Sequence, residues 1–183
     1  EKQQTILTVG RIGLAVKNNE MLLRIIPLLD LKGWNVKFVG PIHATFRAKI
    51  DAFFTTYPQL KSVVEFTGAI SDRKVLYSYY DSAKIFCLTS PFESFGMAFV
   101  EAQYFGNYIL GTTGMSAFED LSNTFQFGSQ CEVNDDENYA KLLQQLIDDE
   151  SKLTSTCEEI KAQTKAHFTW ESIVTNLNAA LND

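Results

Sequence analysis

The chain has 183 residues, 45% of them hydrophobic and 21% charged, which suffices for one globular domain with a real core. Its 22 acidic and 16 basic residues give a formal net charge of −6, which disfavours a nucleic-acid-binding surface. Residues 1–4 are polar and no apolar run could span a bilayer, so we expect neither a secretory signal nor a transmembrane segment. The three cysteines lack CxxC spacing and favour a reduced, cytoplasmic setting.

Short apolar segments alternate with segments of helical spacing along the chain. In chain order, the apolar segments predict strands over 6–9, 35–39, 63–66, 84–88, 108–110 and 125–127. The segments between and after them predict helices over 19–31, 44–57, 72–80, 97–105, 138–149, 152–166 and 172–181, the third with Ser71 as its N-cap. This alternation predicts an α/β fold: one Rossmann-like, doubly wound parallel sheet over residues 1–183, with helices on both faces.

The first predicted strand is followed by cations rather than by a dinucleotide fingerprint. It ends in Val9-Gly10-Arg11, and Lys17 precedes the first helix. The missing Gly-x-Gly-x-x-Gly disfavours a dinucleotide oxidoreductase. Ligands of open α/β sheets bind where the strands end, so Arg11 and Lys17 could meet a diphosphate there. On local sequence alone, two solvated basic residues in a loop are the favoured interpretation, because such pairs are common.

Two glutamates mark the next candidate segment. Residues 90–102 read SPFESFGMAFVEA and place Glu93 in a loop after a buried strand, with Glu101 just over one turn into the following helix. A helix N-terminus at this edge offers free N–H groups and a positive dipole end to an anion. The apolar neighbours of Glu101 indicate a helix packed on the sheet, where a carboxylate needs polar partners.

This segment resembles the E-x7-E motif of the retaining, nucleotide-sugar-dependent glycosyltransferases of family 4, the group 1 glycosyl transferases. The resemblance extends over residues 5 to about 182 and is most specific over 84–114. The Gly10-Arg11 pair followed by Lys17 is similar to the family's phosphate-binding segment. Membership implies the C-terminal, donor-binding half of a GT-B fold, in which two Rossmann-like domains face one another.

The resemblance also implies a role for each candidate residue. Glu93 is expected to contact the donor sugar and Glu101 the ribose hydroxyls. Arg11 and Lys17 are expected to bind the donor phosphates, and with Glu93 they form the expected catalytic set. The remaining residues expected to line the nucleotide-sugar are Gly10, Gly68, Ile70, Phe95, Gly96, Met97 and Thr113.

The function implied by the resemblance is transfer of a hexosyl group from a nucleoside diphosphate sugar to an acceptor, with retention at the anomeric carbon. No Asp-x-Asp dipeptide occurs, and we expect neither a metal nor a cofactor beyond the donor substrate. The expected partner is an N-terminal acceptor-binding domain of the same enzyme, through which any membrane contact would arise. The domain alone is expected to be inactive.

Two other functions fit the same sequence. Non-hydrolysing sugar-nucleotide epimerases share the two-domain architecture, although no convincing acid/base set is found here. A non-catalytic interaction module on a Rossmann-like scaffold is the second alternative, and it predicts no response to nucleotides.

Overall fold

The apolar segments of the sequence form one fully parallel sheet in the computed structural model, which describes residues 2–175. Its strands are β1 (Thr5–Val9), β2 (Asn35–Val39), β3 (Val64–Gly68), β4 (Ile85–Cys87), β5 (Tyr108–Thr112) and β6 (Gly128–Cys131). The helices are α1 (Asn19–Ile25), α2 (Arg47–Thr56), α3 (Arg73–Ser82), α4 (Met97–Tyr104), α5 (Phe118–Leu121), α6 (Asp136–Asp148), α7 (Glu150–Ser155) and α8 (Cys157–His167). The predicted α/β fold class is therefore confirmed.

The strand order β3-β2-β1-β4-β5-β6 places β1 beside β4 in the middle of the sheet. The chain winds outward from β1 to β3 and then returns to build β4 to β6 on the other side. The loops after β1 and β4 consequently leave the sheet side by side at the edge where all strands end, which we call the carboxyl edge. In open α/β sheets such a switch point opens a crevice for ligands.

Both faces of the sheet are buried. Successive residues of each strand point to opposite sides, and each side packs into its own hydrophobic cluster. In β1, Ile6 belongs to one hydrophobic cluster and Leu7 to the other. In β4, Ile85 and Cys87 join the cluster of Ile6, while Phe86 joins that of Leu7. This two-sided burial explains why the strands read as continuous apolar runs rather than as alternating ones.

The predicted last strand, 125–127, is wrong. The strand begins three residues later, at Gly128, and Phe127 contributes only its carbonyl oxygen, which accepts from the Ile109 amide at 3.2 Å. Phe125 has a φ of 66° and ends a turn of three residues with positive φ, which the extended conformation of a strand does not allow. The alternating Phe125 and Phe127 are typical of a strand, so the sequence pattern did not indicate this turn.

The helix ends also differ from the prediction. The first helix stops at Ile25 and continues as a short 3₁₀ turn, because Pro27 lacks the amide that the next helical bond requires. The N-cap of α3 is Asp72, whose carboxylate accepts from the Lys74 amide at 2.8 Å, and not Ser71. The predicted helix over 152–166 is divided between α7 and α8. For the predicted helix over 172–181, residues 170–175 are helical and the remainder lies outside the described residues.

Candidate functional site

The loops after β1 and β4 meet in an ion pair at the carboxyl edge. The Lys17 ammonium contacts Oε1 of Glu93, and the two side chains are only 25% and 18% exposed. The Ser90 hydroxyl donates to the same carboxylate oxygen at 2.9 Å. Thr89 also links the two loops, because its hydroxyl donates to the Asn18 carbonyl at 2.9 Å. One cation and one carboxylate are thus fixed together at the switch point of the sheet.

The loop that carries Glu93 is held by the loop after β5. The Glu93 amide donates to the Gly114 carbonyl at 3.2 Å, and the buried Thr112 hydroxyl donates to the Ser90 carbonyl at 2.6 Å. A side chain at Gly114 would overlap the Pro91 carbonyl oxygen, so only glycine lets the two loops approach this closely. The position of Glu93 therefore depends on backbone contacts rather than on its own side chain.

Gly96 begins α4 in a conformation that exposes amides to the crevice. Its φ of 72° is left-handed, and a Cβ there would lie well inside contact distance of the Met115 sulfur. The amides of Phe95, Gly96 and Met97 donate to no other group among the described residues. Free amides at a helix N-terminus carry partial positive charge and suit an anion. The side chains of Phe95 and Met97 are exposed.

The second cation predicted from the sequence, Arg11, follows Gly10 in the loop after β1. Its side chain is exposed and pairs with no carboxylate in the described part of the chain. Lys17 runs past Gly10, since a Cβ on that glycine would lie 3.9 Å from the Lys17 Cε. Arg11 and Gly10 also border a cavity of about 220 Å³ at the ends of β1 to β3, with Ile70 and Leu76 on its wall. Both cations and Glu93 thus lie on one edge of the sheet.

Glu101 lies farther along α4, and its surroundings differ from those expected. The helix buries Phe99, Val100 and Ala102, but Glu101 is on the exposed side and does not sit in a buried pocket. Its polar partner is Tyr80 of α3, whose hydroxyl donates to Oε2 at 2.8 Å. Burial, the negative charge of Glu101 and this hydrogen bond all raise the pKa of Tyr80, so the phenol keeps its proton and remains a donor.

Two further predicted residues have local roles in the structure. The Thr113 hydroxyl donates to Glu132 at 2.8 Å, which turns it toward the end of β6. Gly68 ends β3 with a φ of 74°, and its carbonyl accepts from the Gly40 amide at 3.1 Å. Neither residue contacts Lys17 or Glu93 through these hydrogen bonds.

Sequence reasoning did not single out Ser90, Thr89 or Tyr80. Ser90 and Thr89 carry a recognisable signal, because they are polar residues directly after a buried strand, where side chains reach the carboxyl edge. Tyr80 carries none: it contacts Glu101 across 21 positions of sequence, and only the packing of α3 beside α4 brings the two together.

Two features are absent from residues 2–175. In that range, no three His, Cys, Asp or Glu side chains converge closely enough to hold a metal ion. No helix within the same range is long and apolar enough to cross a membrane.

The sheet, its strand order and the loops at its switch point define the Rossmann-like fold found in GT-B glycosyltransferases. The chain belongs to the family "Glycosyl transferases group 1", whose model matches residues 1–167. An uncharacterised glycosyltransferase of Haemophilus influenzae is 28% identical to it over 148 residues, which are 80% of this chain and 40% of that protein.

Solved structures share the same fold. Sucrose-phosphate synthase from Thermosynechococcus elongatus superposes with a TM-score of 0.81 and 21% identity, over 97% of this chain and 44% of that one. HepE of Anabaena, solved in complex with UDP and glucose, superposes with a TM-score of 0.78 and 17% identity, over 99% of this chain and 48% of that one. The chain therefore spans less than half the length of these proteins.

Proposed function

We propose that this chain is the donor-binding domain of a retaining glycosyltransferase that moves a hexosyl group from a nucleoside diphosphate sugar to an acceptor. The observation that carries the proposal is the Lys17–Glu93 pair, which joins the loops after β1 and β4 at the switch point of the sheet. Family membership supports the reaction class, and the UDP and glucose in the HepE structure support the donor class.

In this proposal residues 1–183 form the C-terminal half of a longer enzyme. Its N-terminal domain would hold the acceptor, which agrees with the share of the relatives' length that the chain spans. The chain alone would then bind donor without transferring sugar. Measured turnover by the chain alone would refute this division of labour.

The donor diphosphate would lie between the cations and the free amides. Arg11 is exposed and unpaired within the described residues, so its guanidinium can form two parallel hydrogen bonds to phosphate oxygens. The Lys17 ammonium has three N–H donors, so it can bind the diphosphate while it stays paired with Glu93. As the glycosidic bond breaks, the leaving diphosphate gains negative charge, which Arg11, Lys17 and the amides of Gly96 and Met97 would stabilise. Because these groups supply the positive charge, we expect no metal or cofactor to be required.

Glu93 would orient the sugar rather than attack it. Its Oε1 is already occupied by Lys17 and Ser90, which leaves Oε2 to accept from a sugar hydroxyl. The ribose would lie at Glu101, and the base would enter the cavity lined by Ile70 and bordered by Gly10, close to Gly68. Thr113 would border the donor from the β5 side.

A thermal-shift titration with uridine and guanosine diphosphates tests the proposal. Ligand at a hundred times its dissociation constant stabilises a folded protein by about 2.7 kcal/mol. At this chain length that gain raises the melting temperature by roughly 5 to 11 °C. The absence of a shift with either nucleotide at millimolar concentration would contradict the proposal and favour a non-catalytic module.

Two variants test the assignment of residues. Arg11→Ala removes an exposed cation, so we expect an unchanged melting temperature without ligand and a nucleotide affinity roughly ten- to a hundredfold lower. Lys141→Ala is the matched control, because Lys141 is an exposed cation on α6, away from this edge. Glu93→Gln should abolish the preference for a nucleotide-sugar over the free nucleotide without weakening the latter. Equal losses in Arg11→Ala and Lys141→Ala would contradict the assignment.

A further inference from the structure

A tyrosine of the hydrophobic core, Tyr80, has the exposed carboxylate of Glu101 as the hydrogen-bond acceptor of its hydroxyl. The ring of Tyr80 is completely buried, and its hydroxyl donates to Oε2 of that exposed carboxylate at 2.8 Å. A buried tyrosine hydroxyl usually finds a polar partner. Here the partner is a residue of the proposed donor site, not a backbone carbonyl of the core.

Tyr80 is held on all sides. Its ring stacks on Phe105 with centroids 6.0 Å apart, and it packs at a tilt against Phe86 with centroids 5.6 Å apart. Its backbone carbonyl accepts from the amide of the buried Asn107 at 3.1 Å. The phenol oxygen therefore occupies a fixed point between α3 and α4.

Among the described residues, by contrast, the side chain of Glu101 makes this one hydrogen bond. It stands at the edge of a groove of about 500 Å³ between the two helices, with Tyr77 and Tyr104 on the walls. Within the described residues, its second carboxylate oxygen accepts no hydrogen bond. A free glutamate side chain samples several rotamers, and holding one of them before the ligand arrives removes that entropic cost from binding.

We infer that Tyr80 is a positioning residue: it holds one oxygen of Glu101 so that the other points toward the ribose hydroxyls of the nucleotide. The inference rests on the proposed function, in which Glu101 meets the ribose. Tyr80 itself touches no part of the donor, and its contribution passes entirely through the carboxylate.

The test compares ribonucleotide with deoxyribonucleotide binding in Tyr80→Phe. This substitution keeps the ring and its stacking, and it releases a carboxylate that water can solvate, so the variant should fold normally. For the unaltered chain, we expect uridine diphosphate to bind more tightly than 2′-deoxyuridine diphosphate. In the variant, the affinity for uridine diphosphate should fall roughly three- to tenfold, the cost of immobilising one flexible side chain. The affinity for the deoxynucleotide should change less.

Two controls separate positioning from packing. Tyr108→Phe removes another largely buried hydroxyl, which contacts Ser129 at 3.1 Å, and should leave both affinities unchanged. In a Glu101→Ala background, Tyr80→Phe should have no further effect on the ribonucleotide, because the two residues act as one unit.

The possible outcomes are distinct. Equal losses for both nucleotides in Tyr80→Phe, or additive losses with Glu101→Ala, would overturn the inference and leave Tyr80 a purely structural residue. If the unaltered chain binds both nucleotides equally well, Glu101 does not hold the ribose and the inference fails, although a nucleotide site remains. If it binds neither nucleotide, the proposed function fails first.

Discussion

Gly96→Ala should destabilise the fold because two independent costs meet at that residue. Gly96 has a φ of 72°, and a left-handed conformation costs an alanine about 1–2 kcal/mol, of which about 0.4–1 kcal/mol is offset by a stiffer unfolded chain. The new methyl group would also overlap the Met115 sulfur and lie 3.2 Å from a ring carbon of Phe99, which adds about 1–3 kcal/mol of overpacking. The sum is about 1–4.6 kcal/mol, or roughly 2 to 18 °C in melting temperature for a chain of this length.

Gly33→Ala is the matched control for this prediction. Gly33 has a φ of 87° but no atom within 4 Å of its would-be Cβ, so it carries the backbone cost alone. We expect it to lose at most about 1.6 kcal/mol. Chemical denaturation of both variants measures the difference, and Gly96→Ala should cost less in a Met115→Ala background than in the unaltered chain, because the sulfur that the new methyl group would meet is gone. If the two glycine variants are equally stable, the close packing of Gly96 on Met115 is refuted.

Two further predictions concern a helix end and the thiols. Asp72→Ala should lower the free energy of unfolding by about 1 kcal/mol, because it removes the N-cap of α3. Asp51→Ala, on the exposed surface of α2, is the control and should cost less. Equal losses in urea denaturation would argue against the cap. Burial raises the pKa of Cys87 to about 12 and that of Cys131 to about 11, so a thiol reagent at neutral pH should first label the partly exposed Cys157. Mass spectrometry that finds fast labelling in a Cys157→Ser variant would contradict this.

The sequence predicted the fold well because its signals are short-range. Strands β1 to β5 are short, largely apolar segments, and the helices between them repeat at helical spacing. The last strand escaped this reasoning, since Gly128 to Cys131 contains little apolar sequence while the preceding Phe125 and Phe127 have the expected pattern. Residues 123–125 form a turn with positive φ, and a pattern of apolar residues carries no information about φ.

The candidate site was predicted unevenly for a related reason. The pairing of Lys17 with Glu93 follows from the order of strands, because loops after adjacent parallel strands meet at one edge. The exposure of Glu101 could not be predicted, since it depends on how α4 rotates against α3. Its bond to Tyr80 depends on the same long-range packing. The roles assigned to these residues in donor binding stay predictions.

A structure of the chain in complex with a uridine diphosphate sugar tests the central claim most directly. The account predicts a diphosphate within hydrogen-bonding distance of Arg11, Lys17 and the amides at the start of α4, with the sugar at Glu93. A diphosphate bound away from Arg11, Lys17 and Glu93 would contradict it.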